Sequence, residues 1–174
     1  MKIIKKLSYE PYKTFYDLFS KAKKSQQKDI QAISISSYNK KHNEVDSRYV
    51  NLKYINGEEW IFFSNYNSPK SEQFDSHSQI SAIFFWHKIN TQIRIKAKIE
   101  KTSVKYNEKY FSKRTKEKNA LAISSNQSKT IESYNHVEKN YYHSLKSDNL
   151  KKCPRYWGGF SFIPYYFEFW EGHK

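Results

Sequence analysis

A single cysteine, Cys153, leaves this chain of 174 residues without an intrachain disulfide, and nothing in its cysteine usage argues for secretion. Glycine and proline number only 4 each, which excludes a collagen-like repeat and a Pro/Gly-rich disordered chain. The glycines, Gly57, Gly158, Gly159 and Gly172, make neither GxGxxG nor a P-loop, so nucleotide binding of the Rossmann or P-loop kind is out. No apolar run approaches the roughly 20 residues needed to span a bilayer. The basic start, Met1 to Leu7, is followed by no apolar stretch, so no signal peptide is expected and a soluble cytoplasmic protein is. The histidines, His42, His77, His87, His136, His143 and His173, are scattered, no HExxH occurs and Cys153 has no neighbouring cysteine; no metal site is expected.

Acidic residues are also scarce: 17 Asp and Glu face 31 Lys and Arg, a formal charge of +14. That excess attracts nucleic acid, acidic surfaces and phosphorylated small molecules alike. Mean hydropathy is -0.94, yet 15 Tyr, 12 Phe and 4 Trp carry large apolar area, so the core should be aromatic. Most of those aromatics lie in apolar runs rather than between basic residues, which argues against stacking platforms for single strands. The length supports one core, hence a single domain over residues 1–174.

Periodicity organises the chain. Ser8 to Lys28 reads as a helix with Pro11 near its first turn and a stripe of Tyr12, Phe15, Phe19 and Ala22. Ile33 and Ile35 lie two apart, and Arg48, Val50 and Leu52 alternate with Tyr49, Asn51 and Lys53, so both stretches read as strands separated by polar residues 38–47. Asn56-Gly57 predicts a tight hairpin into Trp60–Phe63. Residues 66–79 read as polar connection, and the nearly continuous apolar run 80–88 predicts a strand that is central or covered on both faces. Ile93, Ile95, Ala97 and Ile99 alternate with Arg94, Lys96, Lys98 and Glu100, one face buried and one wet. Closely spaced strands without a βαβ rhythm predict an antiparallel sheet or barrel. Past Asn107 the period turns helical, with Ile131, Tyr134, Glu138, Tyr141 and Leu145 along one side of a helix ending near Asp148. The last segment, from Trp157, reads as a strand pair, with Gly158-Gly159 allowing a turn or close backbone approach and Pro164 favouring an edge or break.

With no phosphate loop, an anion would be held by side chains. Arg48, Lys53, Lys70, Arg94, Lys113, Arg114, Lys116 and Lys118 are available for that. For any one lysine in so basic a chain, a solvated surface charge is the plainer reading. Order and context single some of them out: RYVNLK (Arg48 to Lys53), IFFSNYNSPK (Ile61 to Lys70), FFWHKINTQIRIKAKIE (Phe84 to Glu100), YFSKR (Tyr110 to Arg114), SNQS (Ser125 to Ser128) and CPRYWGGFSFIPYYFEFWEG (Cys153 to Gly172) follow one another. In that order they resemble the pyridoxamine 5'-phosphate oxidase family, whose pattern is R-x-V-L-L-K, F-x-T-N-x-x-S-R-K, F-x-W-x-x-L-x-R-Q-V-R, Y-F-x-S-R-P, K-Q-S, then P-x-x-W-G-G and I-E-F-W-Q-G. The last pair is the most specific part, and the resemblance runs from about Asp29 to Gly172.

The resemblance implies a mainly β fold with flanking helices, the FMN-binding split β-barrel, working as a homodimer with FMN at the subunit interface. It implies oxidation of pyridoxamine or pyridoxine 5'-phosphate to pyridoxal 5'-phosphate, by hydride transfer to the flavin and reoxidation by oxygen. Its partners would be a second copy, a phosphorylated vitamin B6 substrate and oxygen, with neither nucleic acid nor membrane. Carried over, Arg48 and Lys70 would hold the FMN phosphate with Ser64 assisting, and Val50, Asn51 and Lys53 would run along the flavin edge beside Phe63. Gln92 would meet the ring's polar edge, Gln127 and Ser128 would reach FMN from the partner side, and Trp170 would border the flavin. Lys53, Tyr110 and Arg114 match the substrate-phosphate residues, with Lys118 where a serine is expected. No catalytic side chain is implied.

Pro69 stands where the family has Arg, Asn51 replaces a leucine, and Thr91 replaces an arginine beside Gln92. The family continues past E-F-W-x-G with an R-L-H-D-R-like segment whose Arg and His contact substrate and whose last Arg contacts FMN. Here the sequence stops at Glu171, Gly172, His173 and Lys174, by truncation or as a naturally shortened member, and reduced turnover is expected of these 174 residues. A related FMN-binding protein with weak or different activity is the alternative, and a basic nucleic-acid-binding barrel the third.

Overall fold

The computed structural model describes residues 1–125, 128–146 and 149–173. The chain divides into two compact units, one of Met1–Phe63, Gln73–Glu100 and Phe160–Lys174, the other of Ser64–Glu72 and Lys101–Gly159. The strands are β1 (Lys2–Lys5), β2 (Ala32–Asn39), β3 (Glu44–Asn51), β4 (Tyr54–Asn56), β5 (Glu59–Asn65), β6 (Gln79–Trp86), β7 (Thr91–Lys101) and β8 (Trp157–Glu171). They form one eight-stranded sheet in the order β1-β4-β5-β8-β7-β6-β2-β3. The pairings describe a large sheet with flanking helices, a mixed α/β fold, and do not show it to close into a barrel.

In the first unit the alternation expected of β2, β3 and β7 is present. Ile33 and Ile35 are buried on β2, and Ile93, Ile95, Ala97 and Ile99 on β7. Helix α1 (Tyr12–Lys24) lays Tyr12, Phe15, Tyr16, Leu18 and Ala22 against the core. Its N-terminus lacks a cap from Pro11; the Glu10 carboxylate accepts from the Thr14 amide at 3.3 Å instead. Phe15 packs 4.5 Å from the Trp60 ring and 5.8 Å from Phe84, so the core is aromatic, as the composition demands. The β4–β5 hairpin pairs Asn56 with Glu59, which leaves Gly57 and Glu58 as the turn; only Gly57, at φ +66°, needs the left-handed region there.

Three expectations are corrected here, and one strand, β1, is added. The β2–β3 hairpin consumes most of the stretch read as polar linker, since pairing continues to Asn39 and Glu44. β6 is an interior strand, between β7 and β2, but is not covered on both faces: Ile80, Ala82, Phe84 and Trp86 are buried, while Phe85 is 58% exposed. Its apolar run conceals an ordinary alternation. Residues 66–79 contain a helix, α2 (Pro69–Ser76), with Pro69 at its first position, where a missing N–H costs no intrahelical bond. β1, whose short basic sequence gives no strand signal, pairs parallel to β4.

The second unit carries α3 (Val104–Phe111), α4 (Lys116–Ser124) and α5 (Tyr134–Leu145). Each starts on a hydroxyl cap: Ser103 accepts from the Tyr106 amide, Thr115 from Lys118 and Ser133 from His136. The stripe read along α5 is not a buried one, because none of the helix's residues is buried, and Ile131 lies before it. The final segment is a single strand, not a pair. Gly158-Gly159 makes no turn, and Pro164 sits inside β8, which lies between β5 and β7 rather than at an edge.

Gly158 serves close approach. An added Cβ there would fall 2.1 Å from Tyr66 Oη and 2.5 Å from Asn107 Nδ2. Asn107, 4% exposed, ties this corner: its Oδ1 accepts from the Thr102 hydroxyl at 2.6 Å and the Gly159 amide at 2.8 Å, and its Nδ2 donates to Tyr66 Oη at 3.0 Å. Gly158→Ala should therefore destabilise the protein by about 1–3 kcal/mol through overpacking. Chemical denaturation would show it as a lower midpoint with an unchanged m-value; an unshifted midpoint would contradict the close packing.

Candidate functional site

In the second unit, the turn after α3 brings Arg114 onto an aromatic wall. Its guanidinium lies 4.5 Å from the Trp157 ring centre and 5.4 Å from Phe111, and Nη2 donates to the Lys118 carbonyl at 3.1 Å. Nη1 is buried with no hydrogen-bond partner. Burial lowers the affinity of this guanidinium for its proton, opposed by the nearby Tyr110 and Cys153. Tyr110 stacks on the same Trp157, the rings 2° from parallel at 6.1 Å. Lys118 sits exposed in the first turn of α4. Of the residues expected at the substrate phosphate, Tyr110 and Arg114 thus meet on Trp157, and Lys118 joins Arg114 through its backbone carbonyl. A partly desolvated guanidinium with one unpartnered nitrogen has the chemistry to accept an anion.

A second donor set in the same unit lies at the end of β5 and the start of α2. Lys70 Nζ donates to Ser64 Oγ at 3.1 Å and Ser68 Oγ at 3.0 Å, and Ser68 Oγ donates to the Asn65 carbonyl at 2.7 Å. Ser71 is fully buried and its hydroxyl has no partner. An ammonium bonded to two serine hydroxyls has the chemistry to suit a phosphate group.

In the first unit, Arg48 and Val50 point with Ile35 and Ile33 to the core-facing side of β3, whereas Tyr49 and Asn51 emerge on the open face. Gln92, paired with exposed Phe85, shares that open face, so Asn51 and Gln92 are brought to one side and Arg48 and Val50 to the other. Arg48 Nη1 donates to Ser37 Oγ at 2.5 Å and Nη2 to Gln73 Oε1 at 2.8 Å; burial lowers its pKa and Asp46 opposes that shift. Lys53 is half-buried, its backbone amide donating to the Ile61 carbonyl at 2.8 Å. Phe63 is half-buried on β5, and Trp170 is 52% exposed near the end of β8. Thr91 is fully buried and its hydroxyl donates to the Ile89 carbonyl at 2.9 Å.

Ser128 is exposed in a turn at φ +63°, and Gln127 lies outside the described residues. Among the described residues no group of three His, Cys, Asp or Glu could hold a metal. No helix among them is long and apolar enough to cross a membrane. Sequence reasoning missed Gln73, Ser37 and Asp46 around Arg48, Ser68 beside Lys70, and the role of Trp157 under Arg114. Trp157 and Ser68 carried a signal, as parts of the W-G-G and S-R-K motifs.

These cations and hydroxyls stand on a fold shared with solved proteins. PhzG from Burkholderia lata, solved with tetrahydrophenazine-1-carboxylic acid, superposes with a TM-score of 0.84 over 94% of this chain and 80% of that one, at 19% identity. A pyridoxamine 5'-phosphate oxidase-related, FMN-binding protein from Nostoc punctiforme superposes at 0.74 over 95% and 87%, at 8% identity. No family model matches the chain. In sequence it is 34% identical over 167 residues to pyridoxine/pyridoxamine 5'-phosphate oxidase 1 of Hydrogenovibrio crunogenus, covering 95% of this chain and 77% of the relative. It is 30% identical over 174 residues to the corresponding enzyme of Rippkaea orientalis, covering 95% and 79%. The chain belongs to the pyridoxine/pyridoxamine 5'-phosphate oxidase family, a family of flavoprotein oxidoreductases.

The half-buried Cys153 thiol next to this wall is pushed up to about 11 by burial, with Glu108 raising it further and Arg114 opposing. Since the folded value is raised, the associated stability is complete below the ordinary 9.0 and is lost as pH climbs through about 11. Iodoacetamide at about pH 8 should label folded protein far more slowly than urea-unfolded protein. As Cys153 is the sole cysteine, label stoichiometry reads the site directly; equal folded and unfolded rates would contradict this placement.

Proposed function

We propose that the chain is an FMN-dependent oxidase that converts pyridoxamine or pyridoxine 5'-phosphate to pyridoxal 5'-phosphate, with residues 1–174 acting as one cofactor-binding domain. The observation that carries this reading is the Arg114 guanidinium on Trp157, with one buried nitrogen unpartnered and Tyr110 and Lys118 beside it. In the family pattern these are the positions of the substrate-phosphate receptor.

The residues divide the work as follows. Arg114 binds the substrate phosphate through its unpartnered Nη1, Tyr110 supplies a hydroxyl to the same group, and Lys118 adds charge where the family has a serine hydroxyl. Trp157 fixes the guanidinium plane by stacking and, with Phe111, keeps water from the face it covers. Lys70, Ser64 and Ser68 fit the phosphate of the cofactor; Arg48 is assigned to a cofactor phosphate from the family pattern alone. Val50, Asn51, Lys53, Phe63, Gln92, Gln127, Ser128 and Trp170 are the remaining flavin-contact positions. When bound, FMN supplies the hydride acceptor that oxygen regenerates. No side chain is asked to act as nucleophile. What the protein contributes is orientation, since a displacement of about 1 Å at the reacting carbon can cost roughly 100-fold in rate.

The active form is a homodimer. The open face of the sheet carries Tyr49 at 77% and Phe85 at 58% exposure, apolar area that a second copy would cover. The reading of a related FMN-binding protein with weak or different activity is favoured by one observation. Pro69, where the family has a guanidinium, starts α2 and contributes no charge.

Arg114→Ala should raise the KM for pyridoxamine 5'-phosphate by roughly 10- to 100-fold while leaving FMN affinity within about twofold, because a charge-assisted contact to substrate alone is removed. Peroxide formation in air measures the first and flavin fluorescence titration the second. An unchanged KM would overturn the assignment of Arg114.

A further inference from the structure

We infer that Gln73 is the positioning residue for Arg48, and that through it the protein sets its preference for phosphorylated over unphosphorylated flavin; this rests on the reading of Arg48 as a cofactor-phosphate cation.

Gln73 lies on α2 and is 2% exposed. Its Oε1 accepts from Arg48 Nη2 at 2.8 Å and from the Ser37 hydroxyl at 2.5 Å, while its Nε2 donates to Asp46 Oδ2 at 2.5 Å. A guanidinium can only donate and a carboxylate can only accept, so the amide has one permitted orientation. A carboxamide side chain satisfies both neighbours at once, which neither a carboxylate nor an apolar chain of the same size can do.

Two consequences follow for Arg48. The bonds to Gln73, to Ser37 Oγ and to the Ile35 carbonyl at 3.4 Å fix the guanidinium plane. They use three of its five N–H groups, leaving two for an incoming oxyanion. Gln73 also engages the Asp46 carboxylate, which lies 3.7 Å from Arg48 Nη2 and is half-exposed. Held by the amide, Asp46 stays at ion-pair rather than hydrogen-bond distance from the arginine. Without the amide, the carboxylate is free to close on Arg48 and compete with a phosphate for the same cation.

The experiment compares FMN and riboflavin affinities by flavin fluorescence titration, with thermal denaturation of each variant alongside. Gln73→Met should weaken FMN by about tenfold and leave riboflavin unchanged, since only the phosphorylated ligand uses Arg48. Gln73→Glu, which keeps size and polarity, should lower the FMN preference at least as far by pairing with Arg48 directly. Adding Asp46→Asn to Gln73→Met should restore most of the preference, and in an Arg48→Ala background Gln73→Met should change nothing further. Equal losses for both flavins, or an unreduced FMN loss in the Arg48→Ala background, would overturn the inference. If Arg48→Ala lowers the FMN preference and neither Gln73 variant does, the Gln73 inference alone falls. If Arg48→Ala leaves the preference intact, the phosphate reading of Arg48 falls and takes this inference with it.

Discussion

The chemistry proposed for this protein rests on a half-buried cation held against an aromatic ring. Arg114 sits where water has been displaced by Trp157 and Phe111, and one of its nitrogens has nothing to donate to. Such a group costs stability unless an anion arrives, so the fold around it must be secured by other means. Those means are visible in the same unit. Trp157 is set at the start of β8, the glycine after it allows Tyr66 and Asn107 to close on the backbone, and Asn107 meets four hydrogen-bonding neighbours. Asn119 ties the Phe111 carbonyl at 3.0 Å to the Leu150 carbonyl at 2.7 Å and so fixes the turn that carries Arg114. The polar network is what allows a cation to remain partly unsatisfied.

The two cation sets in the second unit differ in how they are built. Lys70 is a point charge among serine hydroxyls, suited to neutralise a phosphate from one side without a fixed plane. Arg114 is a plane fixed by stacking and suited to directional recognition. Pro69 belongs to this contrast. Where the family pattern has an arginine, the chain begins α2 with a residue whose ring presets the first helical turn, so charge is exchanged for a rigid entry to Lys70.

Much of the fold was legible because burial leaves a period. The β7 alternation, the α1 stripe and the Gly57 turn each follow from local rules, and the structure has all three. Where local rules misled, the cause is identifiable. β6 reads as continuously apolar because Ile83 and Phe85 stand on its open face, and a lone sequence cannot distinguish an exposed aromatic from a buried one. β8 reads as two strands because paired glycines and a proline are the usual marks of a turn. Here the glycine makes room for side chains from elsewhere in its unit, which no local pattern encodes. The candidate site divides in the same way. Arg48, Lys70, Tyr110 and Arg114 were readable from motif order, whereas Gln73, Asp46 and Ser37 reach Arg48 across 25, 2 and 11 positions and carry no motif.

The account turns on recognition of a substrate phosphate by a chain that holds flavin. Its most direct test is anaerobic bleaching of the flavin in the FMN-loaded protein, comparing pyridoxamine 5'-phosphate with pyridoxamine at equal concentration. The expected result is reduction by the phosphorylated compound at a rate at least about 100-fold above that of the unphosphorylated one, the loss of a charge-assisted anchor and of the orientation it imposes. Equal rates, or no bleaching by the phosphorylated compound at full FMN occupancy, would contradict it.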